Sequence, residues 1–262
     1  MTVKPFGGPS SVEAGSRVGT FTSVFQRFYW RVWWSLRRRW EIPRVGHVRF
    51  GQLGRLEPIS RSSGFDRGRP IDRYYIEAFL DRYRLDISGV VLEVGDDLYT
   101  QRFGGTRVAT SDVLHFTPDN PKATIIADLA VGEIIPSGRF DCVVLTQTLQ
   151  YSQDLPAALR TIERVLRPGG VVLATVPGFG PISRDEWSER WCWGFTSTAV
   201  RGLFDPVFGA ENVAVEAFGN VLTATCFAQG LAVEDVSVDA LDKNDALYPV
   251  VVTVRAVKAQ SK

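Results

Sequence analysis

The sequence predicts an α/β protein in which helices cover a buried, mostly parallel β-sheet. From Gly89 onward, short runs rich in Val, Ile and Leu alternate with longer segments of helical periodicity. A parallel strand that is covered on both faces is apolar at nearly every position, and these runs have that composition. The chain has 262 residues, of which 45% are hydrophobic and 23% charged, as is typical of globular proteins.

The first 70 residues do not follow this pattern. Residues 1–20 are rich in Gly, Ser, Pro and Thr without periodicity, which predicts a disordered leader. Residues 21–40 hold four of the seven tryptophans and five arginines, and on a helix most of their Phe and Val side chains would share one face. We therefore expect residues 21–70 to form a basic, aromatic N-terminal extension with a helix in its first part.

Two interpretations of residues 21–40 remain open. Packing on the main domain, or self-association into a homo-oligomer, is the simpler one. Contact with a membrane surface is the other, because an aromatic face beside arginines suits the boundary between water and lipid. The charge is uneven in the same sense, since the first 70 residues carry 13 of the 30 basic residues but only 4 of the 29 acidic ones.

Composition excludes several classes of protein and site. A net charge of +1 argues against a generally basic nucleic-acid-binding protein. Cys142, Cys192 and Cys226 lie far apart, so neither a disulfide framework nor a cysteine zinc site is predicted, and no other residues have metal-ligand spacing. The sequence shows no secretory signal and no apolar run of about 20 residues, so we expect a cytoplasmic protein.

The elements of the main domain, residues 71–262, follow an irregular segment over residues 43–70. Pro70 is well placed to open a helix over residues 71–83. A second helix is expected at 155–166, ended by Pro168, Gly169 and Gly170. The other predicted elements are strands at 89–95, 106–113, 123–129, 139–146, 169–177, 212–219 and 248–257, and helices near 196–204 and 221–232.

Acidic or polar residues stand at the predicted ends of four successive strands. The first strand ends in the run Glu93 to Asp97, the second at Asp112, the third at Asp128 and the fourth at Thr146 to Thr148. Ligands of an open parallel sheet bind outside the carboxyl ends of its strands. Asp112 also follows Gly95 by about the offset at which an acidic side chain reaches a nucleoside ribose. Asp112 and Asp128 have an alternative explanation, because Asp is common as the N-cap of a helix.

The acidic loop after Gly95 favours one kind of nucleoside ligand. A dinucleotide pyrophosphate needs the close backbone approach of a GxGxxG loop, and it repels carboxylates. S-adenosylmethionine has a ribose and an adenine but no phosphate, and its sulfonium and ammonium groups are attracted by nearby carboxylates. We therefore expect S-adenosylmethionine as the cofactor.

The runs VLEVGDD, FDCVVLTQTLQY and RVLRPGGVVLATVP resemble class I S-adenosylmethionine-dependent methyltransferases of the type 11 group, over about residues 70–180. The resemblance implies a Rossmann-like, mostly parallel seven-stranded sheet with flanking helices and an antiparallel last strand. It also implies that Glu93 and Gly95 line the methionine part of the cofactor, Asp112 binds the ribose, Asp128 and Leu129 frame the adenine, and Thr146 and Gln147 face the methionine part or the acceptor.

The sequence departs from the family pattern at two places. Asp97 and Tyr99 occupy the second and third positions of the glycine-rich loop, and Asp97 is counted among the candidate cofactor-binding residues. The histidine that often follows the fourth strand is replaced, since the run there is Leu149-Gln150-Tyr151.

The expected activity is methyl transfer to a small-molecule or glycan acceptor at an oxygen atom. An oxygen acceptor needs a base, and Asp185 and Glu186 are the candidates because they lie in the loop after the fifth strand. Trp187, Trp191 and Trp193 in the same loop are suited to stacking on a ring, or to packing in the core. His47 and His115 are interpreted as ordinary surface or hydrogen-bonded residues. The alternative function is a non-catalytic, methyltransferase-like binding module.

Overall fold

The computed structural model describes residues 42–182 and 187–260. The chain divides into two compact units, residues 1–54 and residues 55–262. The described part of the first unit, residues 42–54, is largely exposed and contains one short 3-10 turn, Gly51–Leu53. The predicted leader and the aromatic helix of residues 21–40 lie outside the described residues. All strands of the described residues belong to the second unit.

A seven-stranded sheet forms the centre of the second unit, in the order β3-β2-β1-β4-β5-β7-β6. Strands β1 to β5 are mutually parallel, and β7 runs antiparallel to both β5 and β6. The predicted Rossmann-like α/β fold is therefore confirmed. The strands are β1 Gly89–Val94, β2 Val108–His115, β3 Ile125–Ile126, β4 Phe140–Thr146, β5 Leu166–Pro177, β6 Val213–Phe218 and β7 Val251–Val257.

Helices pack on both faces of this sheet. On one face Leu92 and Val143 pack with α2 and α3, and on the other Val91 and Cys142 pack with α1 and α4. This alternation explains the apolar runs, because successive residues of each inner strand enter opposite cores. The helices are α1 Ile71–Arg82, α2 Leu155–Val165, α3 Ser197–Phe208, α4 Val221–Ala228 and α5 Val238–Asp242. Over the described residues, no helix has the length and apolarity needed to cross a membrane.

Several predicted boundaries differ from the structure, among them the end of α2 and both ends of β3. Helix α2 ends at Val165, and β5 begins directly at Leu166, so Pro168, Gly169 and Gly170 lie inside the strand. A Cβ on Gly170 would lie 2.9 Å from the Arg167 carbonyl oxygen, so this glycine permits a close approach of backbone segments. The predicted strand 123–129 is reduced to Ile125–Ile126.

Candidate functional site

The candidate site is a crevice with two compartments at the carboxyl ends of β1 and β4. A large cavity of about 1050 Å³ and a small cavity of about 220 Å³ share the wall residues Val94, Gly95, Thr146, Gln147 and Tyr151. The order of the sheet reverses between β1 and β4, because the chain adds β2 and β3 on one side and β5 on the other. This reversal is the switch point at which open α/β sheets bind their ligands.

Gly95 forms an open cradle at the centre of the shared wall. Its φ is +94°, which favours glycine, and an added Cβ would meet no atom within 4 Å. The backbone is fixed there, because Gly95 N–H donates to the Leu114 carbonyl at 2.9 Å and the Asn120 amide donates to the Gly95 carbonyl at 2.5 Å. A ligand can therefore approach the Gly95 backbone closely without displacing a side chain.

Glu93 fixes the loop that follows Gly95. Its side chain is 1% exposed and accepts the backbone N–H groups of Tyr99 at 3.2 Å and Thr100 at 2.7 Å. Burial is the main cause that raises the pKa of Glu93 to about 7. Glu93 also lines the large cavity, as expected of a residue beside the methionine part of the cofactor.

The predicted position of Asp112 at a strand end is wrong. Strand β2 continues to His115, so Asp112 lies in mid-strand, opposite Leu92 of β1. Asp112 is 7% exposed, and its carboxylate contacts the Arg139 guanidinium at 2.6 Å and the Thr124 hydroxyl at 2.9 Å. It lines none of the described cavities, so its assignment to the ribose loses its geometric basis.

Asp97 is also directed to another partner. Its carboxylate pairs with the Lys122 ammonium at 3.1 Å and accepts a hydrogen bond from the Gln101 amide. Asp97 is absent from the walls of both compartments, whereas its neighbours Asp96 and Tyr99 line the large one. The Asp97 carboxylate, at a position where the family pattern has glycine, therefore does not obstruct the crevice.

The small cavity lies beyond the ends of β2 and β3. Its walls include His115, Phe116 and the two residues predicted to frame the adenine, Asp128 and Leu129. One Asp128 oxygen accepts the Ala130 N–H at 2.8 Å, which stabilises the turn as in the capping alternative. His115 and Phe116, not Asp112, stand where β2 ends. The mostly apolar run of residues 113–116 is the sequence signal for this longer strand.

Two glutamines hold unsatisfied polar atoms at the end of β4. Gln147 has a φ of +49°, uncommon for a residue with a side chain, and its N–H donates to the Thr175 carbonyl at 2.8 Å. Gln150 is 1% exposed, and its amide donates to the Gln147 side-chain oxygen at 3.4 Å. Gln150 Oε1 and Gln147 Nε2 have no hydrogen-bond partner among the described residues. Buried polar atoms without partners are costly, so these two amides mark the end of β4 as a place where hydrogen-bonding capacity is left unused.

The aromatic loop after β5 contributes to both compartments. Trp191 lines the large cavity and Trp187 the small one. Trp193 lines neither, and its indole N–H donates to the Ser152 carbonyl at 2.7 Å. The predicted catalytic residues Asp185 and Glu186 lie outside the described residues, so their roles stay predictions. His47 is an exposed residue of the first unit.

S-adenosylmethionine fits this crevice. The open face of Gly95 accepts the close approach of an elongated ligand, and the small cavity offers a slot beside Leu129 and Asp128 for a flat base. The wall of the large cavity carries three acidic side chains that attract a cationic ligand, those of Asp72, Glu93 and Asp96.

A family model described as a methyltransferase domain matches residues 4–212. No individual curated protein sequence matches the chain. Among solved structures, a S-adenosylmethionine-dependent methyltransferase from Archaeoglobus fulgidus shares 12% identity, over 71% of this chain and 94% of its own, with a TM-score of 0.48.

Two further solved structures are similar at comparable levels. An N-methyltransferase from Bradyrhizobium japonicum WM9, in complex with S-adenosyl-L-homocysteine, shares 14% identity over 76% of this chain and 96% of its own, with a TM-score of 0.44. Phosphoethanolamine N-methyltransferase 2 from Haemonchus contortus, in complex with S-adenosyl-L-methionine, shares 15% identity over 77% of this chain and 60% of its own, with a TM-score of 0.45.

The family model covers most of the chain, and its C-terminal limit lies beyond the fifth strand and the helix that comes after it. The chain therefore belongs to the methyltransferase-domain family, as a class I methyltransferase whose cofactor is S-adenosylmethionine.

Proposed function

We propose that this methyltransferase acts on an oxygen atom of a small-molecule or glycan acceptor that binds in the large cavity. The shared wall of the two compartments carries the proposal. A cofactor held with its adenine in the small cavity and its methionine part along Gly95 would present its methyl group toward the large cavity, because Gly95 lines both. That cavity has the volume of a small-molecule site.

The chain's own residues align the two reactants. Glu93, Gly95, Asp128, Leu129, Thr146 and Gln147 are the residues that would hold S-adenosylmethionine, which supplies an electrophilic methyl group. The acceptor atom must approach that group in line, so positioning and exclusion of water supply most of the catalysis. Gln147 and Gln150 are suited to positioning, since Gln147 lines both compartments and Gln150 lines the large one.

A hydroxyl acceptor also needs a group that takes its proton. Asp185 and Glu186 remain the predicted bases. Among the described residues, Asp72 is a third candidate base. It lies on the wall of the large cavity, and burial is the main cause that raises its pKa. A raised pKa makes a carboxylate a stronger base once it is ionised.

Aromatic side chains of the large cavity favour a ring-bearing acceptor. Tyr99, Tyr151, Trp191 and Phe227 contribute to its walls. Faces of such side chains stack on sugars and on aromatic rings alike, so both classes of acceptor remain in the proposal. We further propose a cytoplasmic location, with residues 21–40 as the segment for peripheral membrane contact or self-association.

The test uses a matched pair of glycine substitutions. Gly95→Val places a side chain into the crevice, whereas Gly105→Val alters another glycine of positive φ with open space and outside both cavities. We expect Gly95→Val to abolish S-adenosylmethionine binding in calorimetry, and Gly105→Val to retain it. Equal binding by both variants would contradict the placement of the cofactor.

Transfer itself is tested with methyl-labelled cofactor and a panel of hydroxyl-bearing small molecules and glycans. Label that appears in a methyl ether supports the proposal. Label that appears on a nitrogen atom would contradict the oxygen acceptor and show that nitrogen is methylated instead. Cofactor binding without transfer to any member of a broad panel favours the non-catalytic binding module.

A further inference from the structure

The large cavity has a charged side and an uncharged side. Within residues 42–182 and 187–260, every charged side chain that lines it lies between Arg69 and Arg102, in α1, β1 and the loop after Gly95. The described lining residues from Thr146 onward are uncharged, and several of them are aromatic. We call the following six the neutral wall: Thr146, Gln147, Gln150, Tyr151, Trp191 and Phe227.

Gln150 is a buried polar residue of the neutral wall, and it is fixed from two sides. It is 1% exposed, its backbone carbonyl accepts the Cys192 N–H at 2.8 Å, and its amide nitrogen donates to the Gln147 side-chain oxygen at 3.4 Å. Its side-chain oxygen, Oε1, has no hydrogen-bond partner among the described residues. A ligand in this cavity that donates a hydrogen bond to Oε1 would remove the cost of leaving a buried acceptor unpaired.

The chemistry of the neutral wall disfavours a charged acceptor. The rings of Tyr151 and Trp191 lie 5.5 Å apart, nearly perpendicular, so the wall is largely aromatic. The negative faces of such rings and the free oxygen of Gln150 repel an anion, and any charge placed against them loses water at a high cost. A cation is repelled by the sulfonium of the bound cofactor. An uncharged ring that carries a hydrogen-bond donor matches this wall.

We propose that the acceptor is an uncharged ring with at least two hydroxyl groups, and that Gln150 Oε1 accepts a hydrogen bond from the hydroxyl that is not methylated. This assignment rests on the proposed function, since it places the acceptor in the large cavity. The hydroxyl that is methylated passes its single proton to the base, so it cannot also donate that proton to Gln150. Gln150 therefore selects the acceptor and fixes which of its hydroxyls faces the methyl group.

The test measures binding of ring compounds without methyl transfer. The full-length protein is loaded with S-adenosyl-L-homocysteine, which has no methyl group to give, and the compounds are titrated by ligand-observed NMR. Catechol is compared with phenol, and trans-1,2-cyclohexanediol with cyclohexanol, so each pair differs by one hydroxyl. We expect at least one diol to bind the wild type about 3- to 10-fold more tightly than its partner compound, the effect of one uncharged hydrogen bond. The charged analogues 2-hydroxybenzoate and 2-hydroxybenzylamine should bind more weakly than the better-bound diol.

Substitutions of two glutamines assign the preference to Gln150. Gln150→Met keeps the length of the side chain but removes the amide, so it should abolish the preference for the diol. Gln101→Met is the matched control and should retain the preference, because Gln101 lines the same cavity but donates its amide to Asp97. If Gln150→Met proves unfolded by circular dichroism, Gln150→Asn decides, since it withdraws the carbonyl by one methylene and should also lose the preference.

The possible outcomes separate this proposal from the proposed function. A wild type that binds no S-adenosyl-L-homocysteine overturns both. A loaded wild type that binds none of the ring compounds, or binds the two members of each pair alike, overturns only the role of Gln150 and the second hydroxyl. A preference that persists in the folded Gln150 variant does the same. A charged analogue that binds as tightly as the diol overturns the uncharged acceptor.

Discussion

Asp112 shows how a few additional residues in a strand change the role of a side chain. Its spacing from Gly95 predicts a place at the ribose, but β2 runs three residues farther and leaves Asp112 inside the sheet. There its carboxylate joins Arg139, just before β4, to Thr124, just before β3. Asp112 thus links β2 to the segments that lead into β3 and β4.

Asp112→Asn should lower stability and leave cofactor binding intact. The amide keeps the shape of the side chain but loses the charge that faces Arg139, and a partly buried charged hydrogen bond is worth about 1.5–3 kcal/mol. We expect the free energy of unfolding in urea to fall by about 1–3 kcal/mol. S-adenosylmethionine affinity, measured at a temperature where the variant is folded, should match the wild type.

Arg139→Gln is the matched control for this prediction. If the pair acts as a unit, the double variant loses much less stability than the sum of the two single variants. A drop in cofactor affinity with little loss of stability would restore Asp112 to the binding site.

Four of the predicted site residues that do line the crevice share a simple property. They lie at or just after the ends of strongly apolar strands, so their position can be predicted once the strand and its last residue are recognised. These residues are Glu93, Gly95, Thr146 and Gln147. Gln150 could not be found in this way. Its importance depends on which polar atoms remain without a partner after folding, and that is a property of tertiary contacts.

At the scale of elements, the boundaries depend on neighbours that the local sequence does not contain. The β5 strand begins at Leu166 because Phe140 of β4 pairs there, across an irregular register. The π-helical turn Thr100–Gly104 is fixed by Glu93 of the preceding strand, whose carboxylate accepts the Thr100 N–H. Alternating apolar runs are sufficient for the order and type of the main elements, but these contacts decide where each one starts and stops.

The link between β1 and that turn predicts a pH effect on stability. Burial raises the pKa of Glu93 from 4.5 to about 7, so the folded protein holds a proton that the unfolded chain releases in this range. Stability from this group is therefore present at low pH and is lost as the pH rises from about 4.5 to 7. The loss is on the order of 3 kcal/mol.

Thermal unfolding of the wild type and Glu93→Gln between pH 5 and pH 8 measures this effect. A glutamine cannot ionise, so the difference in melting temperature between the two proteins should shift in favour of the variant as the pH rises. A difference that stays constant across the range would show that Glu93 is ionised throughout, or that it titrates alike in both states.

At the scale of the whole molecule, all lining residues of the large cavity fall between Ser63 and Val250, within the unit of residues 55–262. Deletion of residues 1–40 should therefore leave S-adenosylmethionine affinity within about twofold. If residues 21–40 contact a membrane surface, the intact protein should also bind lipid vesicles. The intact protein should float with anionic vesicles at low salt, and flotation should weaken at high salt because surface charges are screened within about 10 Å.

The truncated protein is the control, since it lacks five arginines of residues 21–40 and should not float under either condition. An intact protein that never floats, together with a lower melting temperature after truncation, would assign residues 21–40 to packing within the molecule. Concentration-dependent assembly that disappears on truncation would assign them to self-association.

The position of β7 between β5 and β6 has a consequence for biosynthesis. The ribosome makes β7 last of the seven strands, so β6 has no neighbour and β5 keeps an open edge until residues 251–257 emerge. The small cavity and the shared wall come from segments that end by Arg190, whereas Phe227 and Val250 of the large cavity are made later. A nascent chain can therefore assemble the cofactor slot before the acceptor pocket exists, and cofactor captured at that stage would stabilise an unfinished sheet.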